Sequence, residues 1–177
     1  MPSSPYLAGP VQEAFEAWHQ KLHHLDGSWR AARAQLKRCH GVGNVLLEPA
    51  FQRLYRHLEE AGTVFSPAMR EAQMNGWAAA AALAAHVSPG EGRSFPVMAS
   101  HTEKPGERPP LSPLRFRRLL DTPDDDIDAL FKGLRRALPL IGGKVSAISL
   151  AADVLSWGDE TRRRWAYAYH WPDEARS

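Results

Sequence analysis

Arginine pairs recur in the second half of the chain, Arg117-Arg118 and Arg135-Arg136, with Arg115 and Lys132 beside them. Guanidinium and ammonium groups donate hydrogen bonds and positive charge to oxyanions, phosphate above all, and need no neighbouring acid or nucleophile to do so. On a single helix such residues read as a solvated face that complements the helix dipole. Repetition on two adjacent segments favours a surface for a polyanion. The first half shows the same clustering: between Asp26 and Glu48 the ionised residues are Arg30, Arg33, Lys37 and Arg38, without an acid. The formal net charge of +2 conceals this segregation.

Patterns that would support a reaction are missing. His19, His23 and His24 put two imidazoles four residues apart on a helix, but no carboxylate motif or cysteine set completes a metal site. Cys39 is the only cysteine; it falls on an apolar face, where an inert buried thiol is expected, and it excludes an intrachain disulfide. Gly41-Val42-Gly43 lacks the strand and spacing of a phosphate-cradling loop. Asp124, Asp125 and Asp126 do not have calcium-loop spacing. The sequence therefore reads as non-enzymatic, with no metal and no cofactor.

The cations sit on elements with clear helical periodicity. Ile127, Leu130, Phe131, Leu134 and Leu138 form one apolar stripe, and Lys132, Arg135 and Arg136 fall on another face. Thr122 is read as the cap of this helix, Pro123 as its first residue, and the three aspartates as complements to its positive end. Before it, Ser112 and Pro113 open a helix with Phe116, Leu119 and Leu120 inward and Arg115, Arg117 and Arg118 outward.

Around these stand further helices. Val11, Phe15, Trp18, Leu22 and Leu25 mark the first, ending near Asp26-Gly27; Ser28 caps a second with Trp29, Ala32, Leu36 and Cys39 inward. Pro49 opens a third with Phe51, Leu54, Tyr55 and Leu58 inward. An Ala-rich helix from about Ala68 to Val87 is small-sided enough to be central. Residues 145–155 are apolar almost all round, after a break at Gly142-Gly143, and Asp159 caps a last helix with Trp165, Ala168 and Tyr169 inward. Trp18, Trp29, Trp77, Trp157 and Trp165 read as core, whereas Tyr167 and Trp171 are left free to touch a partner.

The expected fold is all-α: a compact bundle of about eight helices, as one body or as two packed halves. Residues 1–10 read as a loose leader, 11–172 as one helical domain with a Pro/Gly-rich connection at 88–113, and 173–177 as a loose tail. Short runs around Val45 and Val97 are ambiguous between helix and strand. No apolar run reaches the ~20 residues that span a bilayer, and no secretory leader is evident, so a soluble cytoplasmic protein is expected.

The order of motifs is informative beyond any one of them. A first helix with Trp18, then Leu25-Asp26, AQLKRC at 34–39, PAFQRLY at 49–55, LRFRRLL at 114–120, GLRRAL at 133–138, and DVLSW at 153–157 before RRRWAYAYHW resembles the CasB family. That family supplies the small subunit of the type I-E CRISPR complex Cascade, and the resemblance runs from about Phe15 to Trp171. It implies an all-helical, non-catalytic protein present as two copies, with other Cascade subunits, crRNA and target DNA as partners. Its work would be to steady the heteroduplex and the displaced strand during R-loop formation. Carried over by motif, the phosphate contacts are Lys37 and Arg38; Arg115, Arg117 and Arg118; and Arg135 and Arg136. Lys132 joins them by helical geometry, and Arg70 by its position after PAFQRLY. The alternative is a helical scaffold whose arginines meet acidic protein surfaces.

Overall fold

Small side chains set the centre of the molecule: from Gly76 to Ala84 every residue of the Ala-rich helix is buried. The computed structural model describes residues 4–141 and 144–173, and the structural statements below refer to those. Among them the chain forms α1 (Gly9–Leu22), α2 (Gly27–Arg38), α3 (Val42–Leu46), α4 (Pro49–Glu60), α5 (Arg70–Ala84), α6 (Phe95–Ser100), α7 (Pro113–Leu120), α8 (Ile127–Ile141), α9 (Ala147–Leu155) and α10 (Asp159–Ala168). The described residues hold no sheet, only one isolated bridge between Arg93 and Val145. None of these helices is long and apolar enough to cross a membrane.

The all-α expectation holds, with ten helices in place of about eight. The additions, α3 and α6, are five and six residues long, too short for a 3.6-residue period to show, and they contain the ambiguous runs at Val45 and Val97. The Pro- and Gly-rich stretch at 88–113 thus carries a helix with Phe95, Pro96, Met98, Ala99 and Ser100 buried. Leu7, before α1, is buried, and the hydroxyls of Ser4 and Ser156 lie 2.8 Å apart. The break read at Gly142-Gly143 lies outside the described residues, as do residues 1–3 and the tail beyond Asp173.

Helix α5 packs against α2, α3, α4, α8 and α9. A Cβ added at Gly76 would lie 3.3 Å from Leu155 Cδ2, so the missing side chain lets α9 approach closely. On α1, Phe15, Trp18 and Leu22 enter the core, and Trp18 Nε1 donates to the Ala50 carbonyl of α4 at 3.2 Å. Each such aromatic contributes roughly 1.5–3 kcal/mol by burial.

Three caps differ from expectation. Asp26, not Ser28, caps α2, its carboxylate accepting from the Ser28 N–H at 2.8 Å. Gly158 stands at the N-cap of α10, and Asp159 is the first helical residue, where its charge still complements the dipole. The Asp126 carboxylate, not Thr122, accepts the Ala129 backbone N–H at 2.9 Å, and α8 starts at Ile127. Thr122 is buried, and its carbonyl accepts from Trp157 Nε1 at 3.1 Å and Arg162 Nη1 at 2.8 Å. A better acceptor nearer the first turn displaced the hydroxyl, and Thr122 became the tie between α8 and α10. Arg162 also meets Asp124 at 2.5 Å, so the acidic run is partly an ion-pair partner.

The DVLSW and RRRW motifs meet each other. Asp153, 1% exposed, pairs with Arg164 and accepts from Trp165 Nε1 at 2.7 Å. Burial pushes its carboxyl above the usual range in spite of both donors.

Candidate nucleic-acid interface

Helices α7 and α8 enclose a surface groove of about 630 Å³. Ser112 caps α7, its hydroxyl accepting from the Arg115 N–H at 3.4 Å. Phe116 fixes the rotation of α7 by stacking on Tyr169 with ring centroids 4.1 Å apart, and it also meets Trp165 and Trp171. With Phe116 and Leu119 inward, Arg115 and Arg118 line one wall of the groove. The apolar stripe of α8 likewise turns Lys132 and Arg136 to the other wall. The floor comprises Leu111, Leu119, Ala129, Gly133, Ala137 and Leu140, with Thr122 as its one uncharged polar residue. No described lining residue is a carboxylate.

Gly133 is the point of closest approach. A Cβ there would fall 2.5 Å from Leu119 Cδ2, so glycine lets α7 and α8 draw together and shapes the floor. A helix-interior glycine costs about 1 kcal/mol relative to Ala, which is the sequence signal for a close approach at this position.

The arginine pairs do not act as pairs. Successive helical residues are ~100° apart, so Arg118 and Arg136 face the groove while their neighbours turn away. Arg117 sits outside it, 3.9 Å from Asp121 in an exposed ion pair. Arg135 reaches across to α2, where its Nη2 donates to the Lys37 carbonyl at 3.0 Å. Lys37 and Arg38 are exposed at that helix end, Arg38 beside a smaller hollow with Gln35, His40 and Glu48. Arg70 lines neither, and donates to the Tyr55 hydroxyl at 2.8 Å. Among the described residues the guanidinium groups of Arg115, Arg118 and Arg136 have no acceptor. Lys132 is 2.5 Å from Asp128. That contact, with the Val42 N–H at 2.9 Å, holds the Asp128 carboxyl below its usual range.

The histidines have a structural use that helical spacing did not reveal. His19 is only 4% exposed; its Nε2–H donates to the Ala84 and Val87 carbonyls at 3.0 and 2.7 Å. His23 Nε2–H donates to Ala84 at 3.0 Å, while its Nδ1 accepts from Arg33 Nη1 at 3.1 Å. Both imidazoles cap the carbonyl end of α5, and burial is the main cause of their lowered pKa values. Cys39 is buried, its thiol raised by desolvation. Among the described residues no group of three or more His, Cys, Asp or Glu side chains is placed to hold a metal ion.

Fold and groove together define a small all-helical protein with a cation-rimmed cleft on its surface. The family model for CRISPR-associated protein Cse2 matches residues 32–170, and the chain belongs to that family, the CasB-type small subunits of type I-E Cascade. Its fold is similar to that of a chain in the crystal structure of E. coli Cascade bound to a PAM-containing dsDNA target. The TM-score is 0.58 at 17% identity, covering 89% of this chain and 92% of that one. Comparison with curated proteins gave no match.

Proposed function

We propose that the chain is a non-catalytic small subunit of a cytoplasmic type I-E Cascade, whose α7–α8 groove binds nucleic-acid backbone without regard to sequence and so stabilises the R-loop. The observation that carries this is the convergence of Arg115, Arg118, Lys132 and Arg136 from two helices on one cleft with no described carboxylate lining it. In an RNA-guided complex, base pairing reads the sequence, and protein cations need only meet phosphates. Exchange of one duplex for another is nearly balanced, so a few charge contacts decide its lifetime. The partners are other Cascade subunits, crRNA, target DNA and a second copy of the chain. Lys37, Arg38, Arg70 and Arg117 are outlying contacts on this reading; Arg135 serves mainly to hold α8 to α2.

The test is charge reversal in the assembled complex. Arg118→Glu with Arg136→Glu should leave assembly intact and speed dissociation of target DNA, most strongly at low salt. Wild-type R-loop lifetime in that complex would refute the proposal. Loss of assembly would support the scaffold reading, for which exposed Leu114 and Tyr167, 63% and 89% accessible, are the favouring observation.

A further inference from the structure

The groove has a feature that phosphate binding alone does not use: between its two cationic walls lies an apolar floor. Leu119 and Ala137 are buried beneath it, while Leu140 stays 46% exposed and Ala129 is open to solvent. An outer wall of duplex nucleic acid offers only phosphates and sugars, and would rest on the rims and leave the floor uncovered. An unpaired strand can bring its phosphates to the rims and turn a base inward, covering the floor with a flat apolar face. The volume of about 630 Å³ lies within the range of sites that enclose small organic groups.

Resting on the phosphate-binding reading of the same groove, we infer that its occupant is an unpaired strand, held with one base unstacked and seated between α7 and α8. Arg115 and Arg118 take phosphate on one side of that base, and Arg136 on the other. Lys132, tethered to Asp128, is the lesser contributor. Recognition is tolerant of base identity because the floor is mainly apolar, with no described carboxylate or amide side chain to read a base edge and its one hydroxyl residue, Thr122, only 8% exposed.

Two probes with identical phosphates separate base from backbone: a labelled oligothymidylate and an oligomer of the same length built wholly of abasic residues. The full chain should bind the first about tenfold more tightly, the effect of burying roughly 55 Å² of apolar surface at about 25 cal/mol/Å². Leu140→Ala, which strips part of the floor, should bring that difference close to unity. Arg118→Ala with Arg136→Ala should weaken both probes. Equal affinity for the two probes, with both lost in the arginine variant, overturns base seating and retains phosphate binding. Failure of both probes to bind, or binding indifferent to the arginine variant, overturns both readings.

Discussion

Arg135 and Lys37, distant in sequence, are joined by a 3.0 Å hydrogen bond in which the guanidinium of α8 satisfies a carbonyl at the end of α2. A basic residue that looks like its neighbour Arg136 is therefore part of the fold. Helix ends leave carbonyls unsatisfied, and a cation there is favoured by the dipole as well. Arg135→Ala should cost about 1–2 kcal/mol of stability and lower Tm by several degrees, with little change in nucleic-acid affinity. Arg136→Ala should do the reverse. Thermal melts and binding titrations of the two variants, side by side, check the division.

Acid should loosen the same region. His86 lies close to Lys37 and Arg135, and burial, then these two cations, push its pKa down to about 4. The unfolded chain takes up the proton near pH 6.5. Stability is thus complete above about pH 6.5 and falls as pH drops toward 4, because protonation favours the unfolded state across that window. The lowered values of His19 and His23 act in the same direction. His86→Leu should flatten the Tm-against-pH curve between pH 6.5 and 4; a curve parallel to wild type would contradict the assignment.

The capping of α8 by Asp126 gives a local test. Asp126→Ala should lose about 1 kcal/mol, since the Ala129 N–H loses its acceptor. Asp125→Ala should change stability by less than about 0.5 kcal/mol. Urea denaturation of both variants separates them.

Gly133 links stability to the groove. Gly133→Val places branched carbons where Leu119 Cδ2 now sits and should cost about 1–3 kcal/mol by wedging α7 from α8. It should also weaken nucleic-acid binding, although every cation remains. Gly133→Ala is milder, since Leu119 ends in a flexible methyl that can turn aside. Melting curves and affinities for the two variants should fall in that order.

The elements of this protein were legible where periodicity ran long enough. The apolar stripe of α8 and the Ala-rich α5 announce themselves, whereas α3 and α6 do not complete two turns. The candidate site was legible in residue type but not in direction. Nothing local to Arg135 shows that Lys37 will present a carbonyl to it; that contact is made only when α2 and α8 pack. Thr122 failed as a cap because α8 begins only at Ile127, where the Asp126 carboxylate is the nearer acceptor. Nothing local to His19 shows that the carbonyl end of α5 will stop against it. The groove floor carried one sequence sign, the glycine between Lys132 and Leu134.

The most direct test of phosphate binding in the groove is the salt dependence of anisotropy for a labelled mixed-sequence single strand, titrated with wild type, Arg118→Ala/Arg136→Ala and Arg117→Ala/Arg135→Ala. For a groove that binds phosphates, log affinity falls linearly with log salt, and loss of Arg118 and Arg136 reduces the slope by roughly 0.7 per contact removed. The second pair removes one outlying contact and one residue of the fold, and should reduce the slope by no more than about half as much. An unchanged slope without Arg118 and Arg136, or an equal reduction without Arg117 and Arg135, would contradict a groove built for phosphate.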